Sequence, residues 1–395
     1  MPAINKTTIR NLTILLGSSL SVLAATILAP ALPTMLAVFR EVPNADLLVR
    51  LALTTSALFI AIGAPLSGFL LDRLGRKPVL IVGLIVYSLA GSSGFVLNSI
   101  YAILLSRAIL GLSISAIMSG FTTLIIDYFK GAELNRFMGY QSAFISFGGM
   151  GFLFIGGLLA DIDWRLVFLV HLFAVLVLVS TILTVNEPRR SGPTDREESK
   201  IETSPLPYRA LGIIYLATFI AMLVFFIFPL QVPFYLESAG NIESSLVGLA
   251  LSLQGLAGAA IALQYTRIKK HLSFSTIFMM IFLFFGLNHL ILSISSEYIY
   301  AVAALAIGGL GIGLLPANIN VWLASVVPSD IRGRAVGGLT MSLFFGQFLT
   351  PIVTQPFVAT LGLSRMFLIF GVFSLAVATV FAIAGLSGWK KSSAS

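Results

Sequence analysis

The sequence contains no cysteine. Disulfides, thiolate nucleophiles and cysteine-ligated metal sites are therefore excluded, while the redox compartment stays open. Histidine is nearly as scarce. His171, His271 and His289 lie far apart with no H-x-x-x-H spacing, so a zinc site has no support and no metal is expected. Charge is thin as well. Only 10% of the 395 residues are charged and 57% are apolar, with a mean hydropathy of +1.00. A soluble domain needs more charge than this to cover its surface, so the natural solvent is a bilayer. No acid lies clearly inside an apolar run: Asp127, Asp161 and Glu237 fall at ends, and Asp46 and Glu243 fall in loops. No paired carboxylate, Ser–His set or metal cluster is visible, so neither an enzyme nor a cofactor is expected. The net charge of +8 does not indicate nucleic acid, because the cations sit in short loops and no nucleic-acid motif accompanies them.

What is present is a series of apolar runs near 12–38, 48–71, 79–97, 100–126, 137–160, 166–185, 210–236, 246–265, 274–294, 298–325, 335–360 and 366–388. They are too long and too irregular for barrel strands, and an open sheet cannot satisfy its backbone in lipid. The expectation is an all-α polytopic membrane protein with twelve transmembrane helices, numbered here as spans 1 to 12. The first run is longer than the apolar core of a signal peptide and reads as span 1. With the N-terminus inside, inner segments hold nineteen Lys and Arg and outer segments hold four, namely Arg40, Arg50, Arg165 and Arg365. That asymmetry places both termini on the cytoplasmic side. Residues 186–209 form the longest hydrophilic stretch and read as a cytoplasmic linker. The expected organisation is an N-terminal six-helix bundle over 1–185, the linker, a second bundle over 210–388 and a tail over 389–395.

The two halves look like copies. Arg136 and Gly139 match Arg334 and Gly337, Gly148 matches Gly346, and Gly111 and Ser115 match Gly309 and Gly313, all at an offset of 198. A parallel repeat about an axis along the membrane normal fits such an offset.

The hinge from Gly68 to Leu80 carries the order G-x-L-x-D-R-x-G-R-K-x-x-L, with Asp72, Arg73, Gly75, Arg76 and Lys77 in its centre. It resembles the loop between the second and third helices of the major facilitator superfamily. That resemblance implies two pseudo-symmetric six-helix bundles and a secondary transporter working by alternating access. It also implies an inner gate in which Asp72 meets the inner end of span 11 near Arg334 and Gly337, and Arg76 reaches Asp127 at the end of span 4. Arg136, the repeat partner of Arg334, belongs to the same inner cluster. A topology signal with snorkelling side chains is the plainer alternative.

Arg107 is the one clear ion within the hydrocarbon, where it costs at least about 2.5 kcal/mol on insertion scales and must face protein or a cavity. With Gly111 it resembles the Arg-x-x-x-Gly signature of span 4 in the same superfamily. The resemblance implies that Arg107 lines the central cavity and takes part in proton or substrate coupling. A structural arginine tethered to carbonyls of neighbouring helices is the alternative. With no embedded acid, a lone cavity Arg favours an anionic, zwitterionic or neutral substrate.

Span 5 carries Gly148, Gly156 and Gly157, and span 11 carries Pro351, which suit close helix packing. They partly match the antiporter signature G-x-x-x-G-P-x-x-G-G, whose central Gly-Pro is Phe152-Leu153 here. Asp161, Trp164, Arg165 and Phe168 resemble the D-x-x-W-R-x-x-F junction of drug exporters. Polar or aromatic candidates on the spans that line the cavity in this family are Gln141, Phe225, Phe228, Gln231, Gln254, Asn318, Asn320 and Gln347. Each is as well suited to interhelical hydrogen bonding as to ligand contact.

The resemblance therefore implies a monomer of the twelve-span drug:proton antiporter branch in a bacterial inner membrane. Its partners would be a small amphipathic substrate, protons and the lipid bilayer. An importer or uniporter of a siderophore, sugar or organic anion is the alternative within transport. A non-transporting receptor or scaffold is the alternative of another class.

Overall fold

The computed structural model describes residues 5–187, 207–240, 242–328 and 331–392. Most of the expected linker and the end of the expected tail lie outside the described residues. Among the described residues every regular element is helical. Spans 1 to 6 are Lys6–Phe39, Ala45–Leu74, Arg76–Ser93, Ile100–Tyr128, Gly131–Ile162 and Leu166–Thr184. Spans 7 to 12 are Tyr208–Gly240, Ser244–Ala262, Phe274–Ile294, Tyr298–Val326, Arg332–Leu361 and Leu363–Ser392. Eleven of these are long and apolar enough to cross a membrane on length and composition. Span 3 is the twelfth: it is shorter and opens with Arg76 and Lys77, yet packs between spans 2, 4 and 6.

Span 1 starts where the Asn5 side chain accepts the Thr7 N–H at 3.1 Å, a standard helix cap. It breaks into a 3-10 turn at Ala29–Ala31 before resuming at Leu32, because Pro30 and Pro33 remove two N–H donors in succession. Prolines also interrupt span 2 at Pro65, span 7 at Pro229 and Pro233, span 10 at Pro316, and span 11 at Pro351 and Pro356. A seven-residue helix, Tyr265–His271, follows span 8. Lys269 stands 4.0 Å from the Phe274 ring centroid, which docks that helix against span 9.

Spans 1 to 6 pack on one another, as do spans 7 to 12, and the bundles meet chiefly through spans 5 and 8 and spans 2 and 11. The repeat is visible in the tightest contacts. A Cβ on Gly111 would lie 2.4 Å from the Ser56 carbonyl oxygen, joining spans 4 and 2. At the same offset, a Cβ on Gly309 would lie 2.2 Å from the Gln254 carbonyl oxygen, joining spans 10 and 8. Both halves thus use a glycine to bring backbones together where a side chain cannot fit.

Candidate functional site

The hinge is built around one residue. Gly75 has φ +96° and ψ 167°, a conformation nearly confined to glycine, so the chain turns from span 2 into span 3 without a loop. Arg76 and Lys77 therefore form the first helical turn of span 3 rather than lying ahead of it, as the 79–97 boundary implied. Their N–H groups are capped by Glu187, whose two carboxylate oxygens each accept at 2.7 Å. A carboxylate there meets both free donors and the positive end of the helix dipole. The Arg76 Nε–H donates to Asp127 Oδ2 at 3.0 Å, and Lys77 donates to the Ile182 carbonyl at 2.8 Å. Arg10 stacks on the Tyr128 ring at 4.4 Å, and the Tyr128 hydroxyl donates to the Asn186 carbonyl. Spans 1, 3, 4 and 6 are thereby tied together on this face, within one bundle.

The partner bundle is not reached by these contacts. Asp72 is exposed and makes no hydrogen bond or ion pair among the described residues. Arg73 lies over the Phe69 ring at 4.4 Å. Arg334 is exposed, and Arg136 donates to the Tyr140 hydroxyl at 2.7 Å within its own helix. A Cβ added at Gly68, Gly139 or Gly337 would meet nothing within 4 Å. Among the described residues Arg76 and Asp127 are thus brought together, whereas Asp72 makes no bond to the end of span 11.

The far face is the reverse. Asp161 accepts the N–H groups of Ser244 at 2.6 Å and Ser245 at 3.0 Å, from span 5 to span 8. Arg50 donates to Gln231 Oε1 at 3.0 Å, from span 2 to span 7. Nearer mid-membrane, Ser252 donates to the Met150 carbonyl at 2.9 Å. A Cβ on Gly157 would lie 2.5 Å from the Ser244 carbonyl oxygen. The polar contacts between the bundles lie toward the far face and the middle of the membrane.

Arg107 does not face the other bundle. It is fully buried inside the N-terminal bundle, where Nη2 donates to the Gly91 carbonyl at 2.9 Å. Nη1 lies 3.5 Å from His171 Nε2, and the guanidinium sits 4.9 Å from the Phe168 ring centroid. Spans 3 and 6 supply all three contacts, and neither borders the other bundle. This is the tethered geometry, and the expected cavity-lining orientation is not seen.

Most of the polar candidates also serve their own bundle. Gln141 donates to Ser18 at 3.0 Å and Thr122 at 3.2 Å. Asn318 donates to the Phe274 carbonyl at 3.2 Å, and Asn320 to the Pro316 carbonyl at 2.8 Å. Phe225 and Phe228 pack against Phe285, one ring tilted and the other edge-on. Gln347 is buried, and Gln254 is buried with its Nε2 unpartnered. Gly148 and Gly156 pack against span 1 at Ser19 and Ile27, and Pro351 is buried in span 11. Gln231 alone of the set bridges the bundles.

Two residues of consequence escaped the sequence reading. The charge distribution puts Arg50 in an outer segment, yet it is 2% exposed and wedged between the bundles. Asp46 four residues earlier was the available signal, since that spacing puts both on one helix face. Glu187 offered no signal, because its partners are backbone groups.

A family model described as Major Facilitator Superfamily matches residues 14–262 and 214–391. The chain is 32% identical over 163 residues to Multidrug resistance protein 1 of Bacillus subtilis (strain 168). That match spans 40% of this chain and 42% of the relative. It is 23% identical over 295 residues to Quinolone resistance protein NorA of Staphylococcus aureus (strain COL), spanning 73% of this chain and 75% of the relative. Among solved structures, a D-xylose-proton symporter superposes with TM-score 0.76 at 16% identity, covering 95% of this chain and 97% of that one. The nucleoside transporter NupG gives TM-score 0.77 at 14% identity, with 94% and 98% covered. A bacterial homolog of the lysosomal transporter Spinster, in an inward-facing and occupied conformation, gives 0.76 at 16%, with 97% of each covered. At these identities the structures speak to the fold alone, and they agree with twelve helices in two bundles. Fold, hinge, repeat and a family match over nearly the whole length converge: the chain is an integral membrane protein that belongs to the Major Facilitator Superfamily, whose members are transporters rather than enzymes.

Proposed function

We propose that this protein is a proton-coupled efflux transporter of small amphipathic molecules. The observation that carries the reading is the similarity to two drug-resistance proteins, one of them over 73% of the chain. It is supported by polar contacts that join the bundles on the far face, the arrangement expected when a cytoplasmic substrate enters from the hinge face. The mechanism is alternating access: two bundles rock about a midplane site, exposing it to one face at a time. Asp72, Arg73, Gly75, Arg76, Asp127, Arg136 and Arg334 act at the inner gate. Arg76 is held by Asp127, and Asp72 is the residue that meets span 11 when that face closes.

The substrate is neutral, zwitterionic or anionic, because no embedded carboxylate offers a counter-charge for a dication. Arg107 acts on coupling from inside its bundle, through the placement of spans 3, 4 and 6, rather than by touching substrate in this state. Both termini are cytoplasmic, the membrane is a bacterial inner membrane, and the unit is a monomer.

The test is lumenal pH in acidified inside-out vesicles, challenged with cationic, zwitterionic, anionic and neutral compounds. Neutral or zwitterionic compounds should trigger saturable proton release, and Arg107→Ala should blunt it. Saturable export of a permanent dication would overturn the substrate assignment. Transport of labelled compound with no proton response would instead favour a uniporter, the reading supported by the incomplete Gly-Pro signature in span 5.

A further inference from the structure

We propose that Asp161 and Arg50 form a two-point latch between the bundles that holds the far face closed, and that both points must release for that face to open. The proposal rests on the alternating-access reading and adds the chemistry of the closed state.

The first point is a helix cap supplied by the other bundle. The N-terminal N–H groups of a helix have no partners within it. At the start of span 8 the residue in the capping position, Glu243, makes no side-chain cap. Asp161, in the last turn of span 5, takes that role across the interface, accepting from Ser244 at 2.6 Å and Ser245 at 3.0 Å. Its charge also complements the helix dipole. Gly157, one turn earlier, permits the approach, because any side chain there would strike the Ser244 carbonyl.

The second point is a buried guanidinium. Arg50 of span 2 donates Nε–H to Gln231 Oε1 at 3.0 Å, and Gln231 in turn donates to Thr354 Oγ1 at 3.1 Å in span 11. The guanidinium lies 3.8 Å from the centroid of the Phe234 ring in span 7. On its own helix it is held by the Asp46 carbonyl at 2.9 Å and carboxylate at 3.3 Å. Asp46 reaches solvent, so the charge pair can rehydrate when the bundles part. Separation on this face strips Asp161 of both backbone donors and Arg50 of its amide and ring partners.

The native chain has no cysteine, so engineered pairs report alone. Spin labels at Val96→Cys and Ile299→Cys, both exposed near the far face, read the distance between bundles there. Labels at Lys130→Cys and Arg267→Cys read the hinge face. Measurements are made on full-length protein in lipid nanodiscs. Asp161→Ala and Arg50→Gln should each raise the far-face open population about tenfold, the scale of a hydrogen bond to a charged group. Asp161→Asn, which keeps one acceptor, should shift it less.

Ser244→Pro guards against misfolding as an explanation. Proline suits the first helical position, so it deletes one donor and spares the helix. It should shift the populations in the same direction as Asp161→Ala. Far-face distances unchanged from wild type in folded Asp161→Ala, Arg50→Gln and Ser244→Pro proteins would overturn the latch, provided the two faces still exchange with pH or compound. Distances on both faces that never change under any condition would overturn the alternating-access reading itself, and the latch with it.

Discussion

Arg76 and Asp127 face each other across spans 3 and 4, with Nε 3.0 Å from Oδ2 and side chains 21% and 24% exposed. The pair fixes the start of span 3 against the end of span 4, beside a glycine turn that has no slack of its own. A pair this exposed is worth about 0.5–1 kcal/mol. Arg76→Gln and Asp127→Asn should each lower transport a few-fold. A double-mutant cycle on melting should return a coupling of about that size. A coupling of zero would reduce the pair to a charge bias for topology.

Gly75→Ala should be among the most damaging single changes on the hinge face. The backbone conformation costs a non-glycine residue about 1–3 kcal/mol. The new methyl would also press on Glu187, whose Oε1 lies 2.6 Å from the Cβ position. Adding Glu187→Ala should relieve the clash but not the strain, so the double variant should melt below wild type. A full recovery would mean that the turn is not strained.

Arg107→Ala should lower the melting temperature as well as transport. It opens a hole between spans 3, 4 and 6 and leaves the Gly91 carbonyl without its donor, at a cost of about 2–4 kcal/mol. Arg107→Lys keeps the charge but has no planar fork to hold Gly91 and His171 together, and it should recover only part of the loss. Transport abolished with melting unchanged would contradict the tethered role and argue for direct contact with substrate or proton.

Gly111→Val and Gly309→Val should behave alike, since the two sites are repeat equivalents at which a backbone carbonyl occupies the side-chain position. Overpacking of this kind costs about 1–3 kcal/mol or more. Both variants should yield little folded protein by size exclusion. One tolerated and one lethal variant would argue against equivalent packing in the halves.

Cytoplasmic termini are checked on the same cysteine-free background. A membrane-impermeant maleimide added to intact cells should label Ser296→Cys, in the connection between spans 9 and 10, and leave Thr8→Cys unmodified. The converse pattern would invert the orientation drawn from the Lys and Arg distribution.

The sequence already contained the spans, because each depends on local composition and a fixed membrane thickness. It also contained the repeat and its paired glycines, because one offset relates several residues. The neighbourhood of Arg76 and Asp127 could be anticipated because it resembles a family pattern. Other features depend on tertiary geometry that spacing does not encode. Arg107 has carbonyl and imidazole partners 16 and 64 positions away, so its direction was open until the bundle closed around it. Arg50 lay at the margin of a span, where a snorkelling cation is ordinary. Asp161 caps a helix 83 residues away through backbone groups that every residue carries.

The most direct test of the central claim is accumulation of a labelled amphipathic compound in inside-out vesicles with an imposed acid-inside gradient. The account predicts accumulation above equilibrium that collapses when a protonophore dissipates the gradient. Entry that stops at equilibrium, with or without the gradient, would contradict it.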